Sequence, residues 1–157
     1  MFTAQDVLDI AIRLETNGEK TYRDACGHTE NKDLKSLLDW IATEEQNHGR
    51  WFAELKNRIS KGEDDHLLAE MSKALAEDVV REQAFSLQEV DFKSIATTDE
   101  MIRTFIGFEE DTIAFYNILK TFVDDPSITA HLDQIIAEEK KHMVTFRNLL
   151  LPGSGRD

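Results

Sequence analysis

Two stretches of the chain, Thr43–Phe52 (TEEQNHGRWF) and Ala137–Phe146 (AEEKKHMVTF), each place a histidine three residues after a doubled glutamate. Around both motifs, apolar residues recur at alternating steps of three and four, which predicts two helices that each bury one face. The two buried stripes match position for position at an offset of 94 residues. The stripes are Leu34, Leu38, Ile41, Glu45, His48, Phe52, Leu55 and Ile128, Leu132, Ile135, Glu139, His142, Phe146, Leu149.

The same offset relates two further helices, which carry a glutamate and a tyrosine in register. Their matched stripes are Leu8, Ala11, Glu15, Gly18, Tyr22, Ala25 and Ile102, Phe105, Glu109, Thr112, Tyr116, Leu119. The chain is therefore two similar helical hairpins, each with a glutamate on its first helix and an ExxH motif on its second.

Stop and cap signals set the expected helix boundaries. We predict helices over residues 3–26, 31–61 and 97–123, and a fourth that follows the Asp124-Asp125-Pro126 turn and ends before Pro152. Residues 63–96 between the hairpins are too long for a tight loop, and their middle, 67–85, also has a helical pattern. The prediction is an all-α, single-domain protein over 1–151, a four-helix bundle whose hairpins are joined by a long, partly helical crossover, with a frayed tail at 152–157.

Composition narrows the class of protein. A net charge of −13 argues against nucleic acid or an anionic membrane as the main partner, because both require basic patches. The single cysteine, Cys26, excludes an internal disulfide and any CxxC module. Because we find neither a signal peptide nor an apolar run of membrane-spanning length, we expect a cytoplasmic protein.

Acidic residues on a buried stripe require compensation. Four carboxylates in a bundle interior would repel one another strongly unless a cation neutralises them. In a helix the Glu and His of an ExxH motif share a face, so each motif can direct a carboxylate and an imidazole to one interior point. Four glutamates and two neutral histidines balance two divalent metals. The predicted ligands of this di-metal site are Glu15, Glu45, His48, Glu109, Glu139 and His142.

The ligand types indicate which metal binds. Carboxylate and imidazole ligands favour iron or manganese, and zinc can occupy such a site during purification. We take iron as the first choice, with Glu45 and Glu139 as the bridging carboxylates by the symmetry of the repeat. The alternative is a salt-bridged core, but no Lys or Arg occupies a matching inward position.

Other chemically active residues have weaker assignments. A third ExxH, Glu63 to His66, lies in a hydrophilic run without a repeat partner, so we do not expect a site there. Tyr22 and Tyr116 either donate hydrogen bonds to ligand carboxylates or pack as ordinary core aromatics. The remaining residues of interest are the off-stripe acids Glu44, Glu110 and Glu138, expected to be solvated or to support the ligands; the surface histidines His28 and His131; and the packing residues Trp40 and Trp51.

With these motifs, the chain resembles the rubrerythrin family of the ferritin-like di-iron superfamily. The segments AIRLETNGEKTY and FIGFEEDTIAFY are similar to its first and third ligand helices, and TEEQNH and AEEKKH to its two EExxH helices. Two features differ from full-length rubrerythrin. The four cysteines of a rubredoxin domain are missing, and Thr112 stands where the family has a second glutamate.

The resemblance implies a ferritin-like bundle with a non-haem di-iron centre. Such a protein reduces hydrogen peroxide or dioxygen, often in defence against oxidative stress. Here the electrons would come from a separate donor protein or from Fe(II) itself. The alternatives are iron handling with ferroxidase activity, a di-manganese, catalase-like enzyme, and a metal-bearing interaction module. We expect a homodimer, because the crossover can pack between two bundles.

Overall fold

The computed structural model of the protein describes residues 4–60, 92, 95–121 and 123–150. These residues form four long helices: α1 Ala4–Ala25, α2 Lys32–Ser60, α3 Thr98–Thr121 and α4 Pro126–Leu149. A 3-10 turn, Cys26–His28, follows α1, and no strand occurs in the described ranges. The predicted all-α bundle is confirmed.

Local side-chain caps explain where three of the helices begin. Asn31 Oδ1 accepts a hydrogen bond from the Leu34 amide at 3.0 Å at the start of α2. Thr97 Oγ1 does the same for the Glu100 amide at 3.1 Å, ahead of α3. Before α4, Asp125 accepts from the amides of Ser127 and Ile128, so that free helix N–H groups are satisfied.

The end of α3 differs from the prediction. The helix stops at Thr121, and Val123 lies outside it, where its amide donates to the carbonyl of Lys120 at 3.3 Å. Val123 is nevertheless buried, and the predicted end at 123 is set by the Asp124-Asp125-Pro126 turn that follows it.

The core is divided by a polar middle layer. At one end of the bundle, a cluster that includes Leu8, Phe52 and Leu132 packs the first turns of α1 against α2 and α4. At the other end, a second cluster contains Tyr22, Phe105 and Phe146, and their rings lie 5.0 to 5.7 Å apart. The predicted stripes are buried along all four helices, and only Leu149 at the end of α4 is partly exposed.

The two tryptophans behave differently from each other. Trp51 is half-buried and packs on Phe52 at 5.0 Å between ring centroids, as predicted. The prediction for Trp40 is wrong: 54% of it is exposed, and it covers only the edge of His142. His28 is exposed as expected, whereas His131 is half-buried because it stacks on Trp51 at 4.2 Å.

The helical pattern predicted at 67–85, the tail at 152–157 and the third motif, Glu63 to His66, lie outside the described residues. Among the described helices, none is both long and apolar enough to cross a membrane.

Candidate metal centre

The six predicted ligands meet in the polar middle layer of the bundle. One comes from α1, two from α2, one from α3 and two from α4, because each lies at the same depth on its buried stripe. Each residue is at most 4% exposed. The cluster consists of Glu15, Glu45, His48, Glu109, Glu139 and His142.

The six residues form two overlapping groups. Glu15 and His48 belong to one group, Glu109 and His142 to the other, and Glu45 and Glu139 belong to both. Within each group, one oxygen or nitrogen per residue lies within 4.8 Å of the corresponding atoms of the others. Two carboxylates, those of Glu45 and Glu139, are thus shared by both groups, and those of Glu15 and Glu109 belong to one group each.

The cluster is incomplete as a purely protein structure. Seven buried oxygen and nitrogen atoms in it form no hydrogen bond of good geometry: Glu15 Oε2, Glu45 Oε1, His48 Nδ1, Glu109 Oε2, both Glu139 oxygens and His142 Nδ1. Their contacts are with one another, as between His48 Nδ1 and Glu139 Oε1 at 3.0 Å. Burying polar groups without partners costs folding free energy, so these atoms require a partner such as a cation. Among the described buried residues there is no Lys or Arg. Hard carboxylate oxygens with imidazole nitrogens fit iron or manganese ions.

Each histidine is held from outside by the first glutamate of the opposite motif. His48 Nε2 lies 2.5 Å from Glu138 Oε2, and His142 Nε2 lies 2.6 Å from Glu44 Oε1. Because an ionised carboxylate only accepts, Nε2 donates its proton outward, and Nδ1 is the nitrogen that faces the cluster. Glu44 and Glu138 therefore support the histidines, and the doubling of the glutamate was the signal in the sequence. Glu110, the third such acid, instead pairs with Arg147 at the surface.

The two tyrosines also reach across the repeat. Tyr22 of the first hairpin donates to Glu109 Oε1 at 2.5 Å, and Tyr116 of the second donates to Glu15 Oε1 at 2.7 Å. Of the two alternatives left open by the sequence, the hydrogen bond to a cluster carboxylate is the one observed. Each tyrosine occupies one carboxylate oxygen and leaves the second, Oε2, directed into the cluster.

Titration behaviour shows the electrostatic cost of the cluster. Burial, followed by repulsion from the neighbouring glutamates, raises the pKa of Glu45 and of Glu139 well above the ordinary value. Burial lowers the pKa of His48, but contacts with Glu139 and Glu15 outweigh it and raise this pKa to about 12. Without a metal, the cluster therefore takes up protons to reduce its charge.

Comparison with known proteins identifies the family and the fold. The family model of rubrerythrin matches residues 6–150. The chain belongs to the rubrerythrin family. Among solved structures, it resembles a Thermotoga maritima protein described as a ferritin-like diiron-carboxylate protein, with a TM-score of 0.67 and 21% identity over 94% of each chain. This likeness confirms the ferritin-like fold. No curated protein matches the chain.

One glycine of this rubrerythrin-family chain makes room for a shared carboxylate. A Cβ atom at Gly18 would lie 3.2 Å from Glu45 Oε2, closer than ordinary van der Waals contact. The repeat places Thr112, which is buried, at the equivalent position of α3. The two hairpins thus differ in the space that they leave beside the cluster.

Two surface clefts reach the histidines from outside. A cleft of about 260 Å³ leads to His48 between Trp51, His131 and Gln134. A more open groove of about 400 Å³ leads to His142 between Trp40, Lys141 and Val144. The cluster is therefore buried, yet each of its histidines lines a cleft that opens to solvent.

Proposed function

We propose that the protein is a non-haem di-iron oxidoreductase that reduces hydrogen peroxide or dioxygen. The observation that carries this proposal is the set of seven unpaired, buried oxygen and nitrogen atoms directed into one cluster. Two divalent cations would satisfy these atoms and balance the four carboxylates.

The geometry suggests how the ligands divide. In our proposal, Glu15 and His48 Nδ1 hold one ion, and Glu109 and His142 Nδ1 hold the other. Glu45 and Glu139 would be shared by the two ions, since only they belong to both groups. The two free oxygens of Glu139 support a bridging role.

The surrounding residues fix the ligands before any metal arrives. Glu44 and Glu138 accept the Nε2 protons, so both imidazoles are oriented with Nδ1 toward the cluster, where a metal would replace the Nδ1 proton. Tyr22 and Tyr116 fix one oxygen of each unshared glutamate. Such preorganisation favours binding because little side-chain freedom is lost.

Bound iron would supply the one-electron redox chemistry that carboxylates and imidazoles lack. The chain contributes a dry, oriented site: apolar clusters above and below the polar layer exclude water. The clefts beside His48 and His142 are wide enough for small oxidants. The reaction needs electrons from an external donor protein or from Fe(II).

Oxidation of bound Fe(II) tests the proposal. We expect anaerobically loaded protein to hold two Fe(II) per chain. When hydrogen peroxide or dioxygen is added, this Fe(II) should be oxidised, so that a ferrous chelator no longer detects it. The matched control is Glu110→Ala, which removes an exposed acid next to Glu109 and should leave oxidation unchanged. Glu139→Ala should abolish it.

If wild-type protein and Glu139→Ala oxidise Fe(II) at the same slow rate with both oxidants, the proposed function is wrong.

Molecular mass in solution separates redox catalysis from iron storage. A mineral store requires a hollow cage of many copies, whereas we propose a homodimer in the cytoplasm.

A further inference from the structure

We propose that the face around Trp40 is the docking surface for an acidic one-electron carrier protein, and that electrons reach the centre through Trp40 and His142. The inference rests on the proposed redox function. It identifies where the external donor binds. We call this face, made of Trp40, Lys140, Lys141, Val144 and Thr145, the Trp40 face.

The Trp40 face exposes apolar groups that the fold does not need. Trp40 is 54% exposed and Val144 is 52% exposed, and no other large hydrophobic side chain in the described part of the chain is so open. Exposed aromatic residues beside polar groups are characteristic of protein interfaces. Trp40 also lies off the buried stripe of α2, so packing within the bundle does not explain it.

Trp40 connects solvent to the metal cluster. Its ring meets the ring of His142 edge to face, with 5.9 Å between centroids and an interplanar angle of 81°. His142 is 1% exposed and directs Nδ1 into the cluster. A carrier seated on Trp40 would therefore be separated from a proposed ligand by one aromatic ring.

Charge selects the class of partner. The chain carries −13 overall, yet Lys140 and Lys141 stand together here, and neither forms an ion pair within the described residues. Two unpaired lysines beside an apolar centre complement an acidic rim. A second copy of this chain fits poorly, since a two-fold contact at this face would bring both lysine pairs together.

The electron balance of the step is simple. Each encounter oxidises the carrier by one electron, which passes by way of Trp40 and His142 to the bound metals. Two encounters supply two electrons, which with two protons from solvent convert one hydrogen peroxide to two waters.

The residue equivalent to Trp40 in the other hairpin is Gln134, which hydrogen-bonds Glu138 at 3.3 Å and offers no aromatic contact.

Binding to a defined carrier tests the docking surface without relying on activity. The probe is a plant-type [2Fe–2S] ferredoxin, which is acidic, titrated by calorimetry into the full chain loaded with redox-inert Zn(II). We expect Lys140→Glu/Lys141→Glu to weaken binding by about tenfold or more, and added salt to weaken wild-type binding. The control, Lys20→Glu/Lys120→Glu, changes the net charge equally on other faces and should bind as wild type does.

Electron transfer then tests the route. With iron-loaded protein, oxidation of reduced ferredoxin should slow in Trp40→Leu and stay close to wild type in Trp40→Phe, while reduction by dithionite stays equal in all three. The proposal is wrong if ferredoxin does not bind, or if both lysine double variants bind it equally well. It is also wrong if the Trp40 indole resonance shifts with protein concentration in the absence of ferredoxin, because a second copy of the chain would then occupy this face. Failure of dithionite to reduce the centre would instead overturn the redox function itself.

Discussion

The two hairpins supply matching groups to the centre inside the bundle, although Gly18 in one is replaced by Thr112 in the other, and they differ more on the surface. Inside, each supplies one unshared glutamate, one shared glutamate, one histidine and one tyrosine to the centre. Outside, His48 lies beneath a cleft that contains the stacked rings of Trp51 and His131, whereas His142 lies beneath the exposed Trp40. The repeat is kept where two equivalent metals would need equivalent ligands, and it has diverged where the halves meet different surroundings.

The largest difference in metal content should appear between a variant that lacks a shared ligand and one that lacks an unshared ligand. Glu139→Gln should reduce the metal content from two ions per chain to nearly none, because both proposed ions depend on it. Glu15→Gln should remove only the ion beside His48. Both variants should raise the melting temperature of the apoprotein, since each relieves repulsion among buried carboxylates.

Elemental analysis by plasma mass spectrometry gives the stoichiometry, and calorimetry gives the melting temperature. Two ions in Glu139→Gln would disprove the shared role. A lower melting temperature of both apoproteins would favour the alternative in which these glutamates are structural.

The outer carboxylates should matter equally in the two halves. Glu44→Ala and Glu138→Ala each free one histidine Nε2, and loss of such a supporting group typically lowers metal affinity about 10–100-fold. Competition with a chromogenic chelator measures the affinity, with Glu110→Ala as the control. A loss confined to one of the two variants would show that the hairpins hold their histidines by different means.

The tyrosines provide a smaller and also symmetrical test. Tyr22→Phe and Tyr116→Phe each remove one hydrogen bond to a buried carboxylate, which should cost about 1.5 kcal/mol of the unfolding free energy of the metal-loaded protein. Urea denaturation measures this loss. If neither variant is destabilised, the bonds do not hold the unshared glutamates in place.

The smallest effect should distinguish two glycines. A Cβ at Gly18 would press on Glu45 Oε2 at 3.2 Å, whereas one at Gly49 would make ordinary contact with Glu15 Cβ at 3.4 Å. Alanine in a helix is favoured over glycine by about 1 kcal/mol. We expect Gly49→Ala to stabilise the apoprotein without changing metal affinity, and Gly18→Ala to weaken metal binding severalfold. Equal metal affinity in both variants would contradict the crowding of Glu45.

The sequence predicted the parts of the centre that follow from periodicity. Glu45, His48, Glu139 and His142 were found because acids and imidazoles interrupt an apolar stripe at the same place in both halves. The four helices followed from the same pattern. Register along a helix is a local property, so a single sequence contains it.

Contacts between the hairpins could not be predicted in the same way. The bond from Glu44 to His142 joins residues 98 positions apart, and the bond from Tyr22 to Glu109 joins residues 87 apart. Which residue meets which depends on how the helices pack, and the helical period alone does not fix this. The exposure of Trp40 was missed for the same reason, since an aromatic residue off the stripe can be buried by a neighbouring element or left open.

Anomalous diffraction from crystals grown with iron, recorded at the iron absorption edge, would locate the bound ions. We expect two peaks per chain. One lies between Glu15 and His48 Nδ1, the other between Glu109 and His142 Nδ1, and both contact Glu45 and Glu139. A single peak, or peaks on the Nε2 side of the histidines beside Glu44 and Glu138, would contradict this assignment.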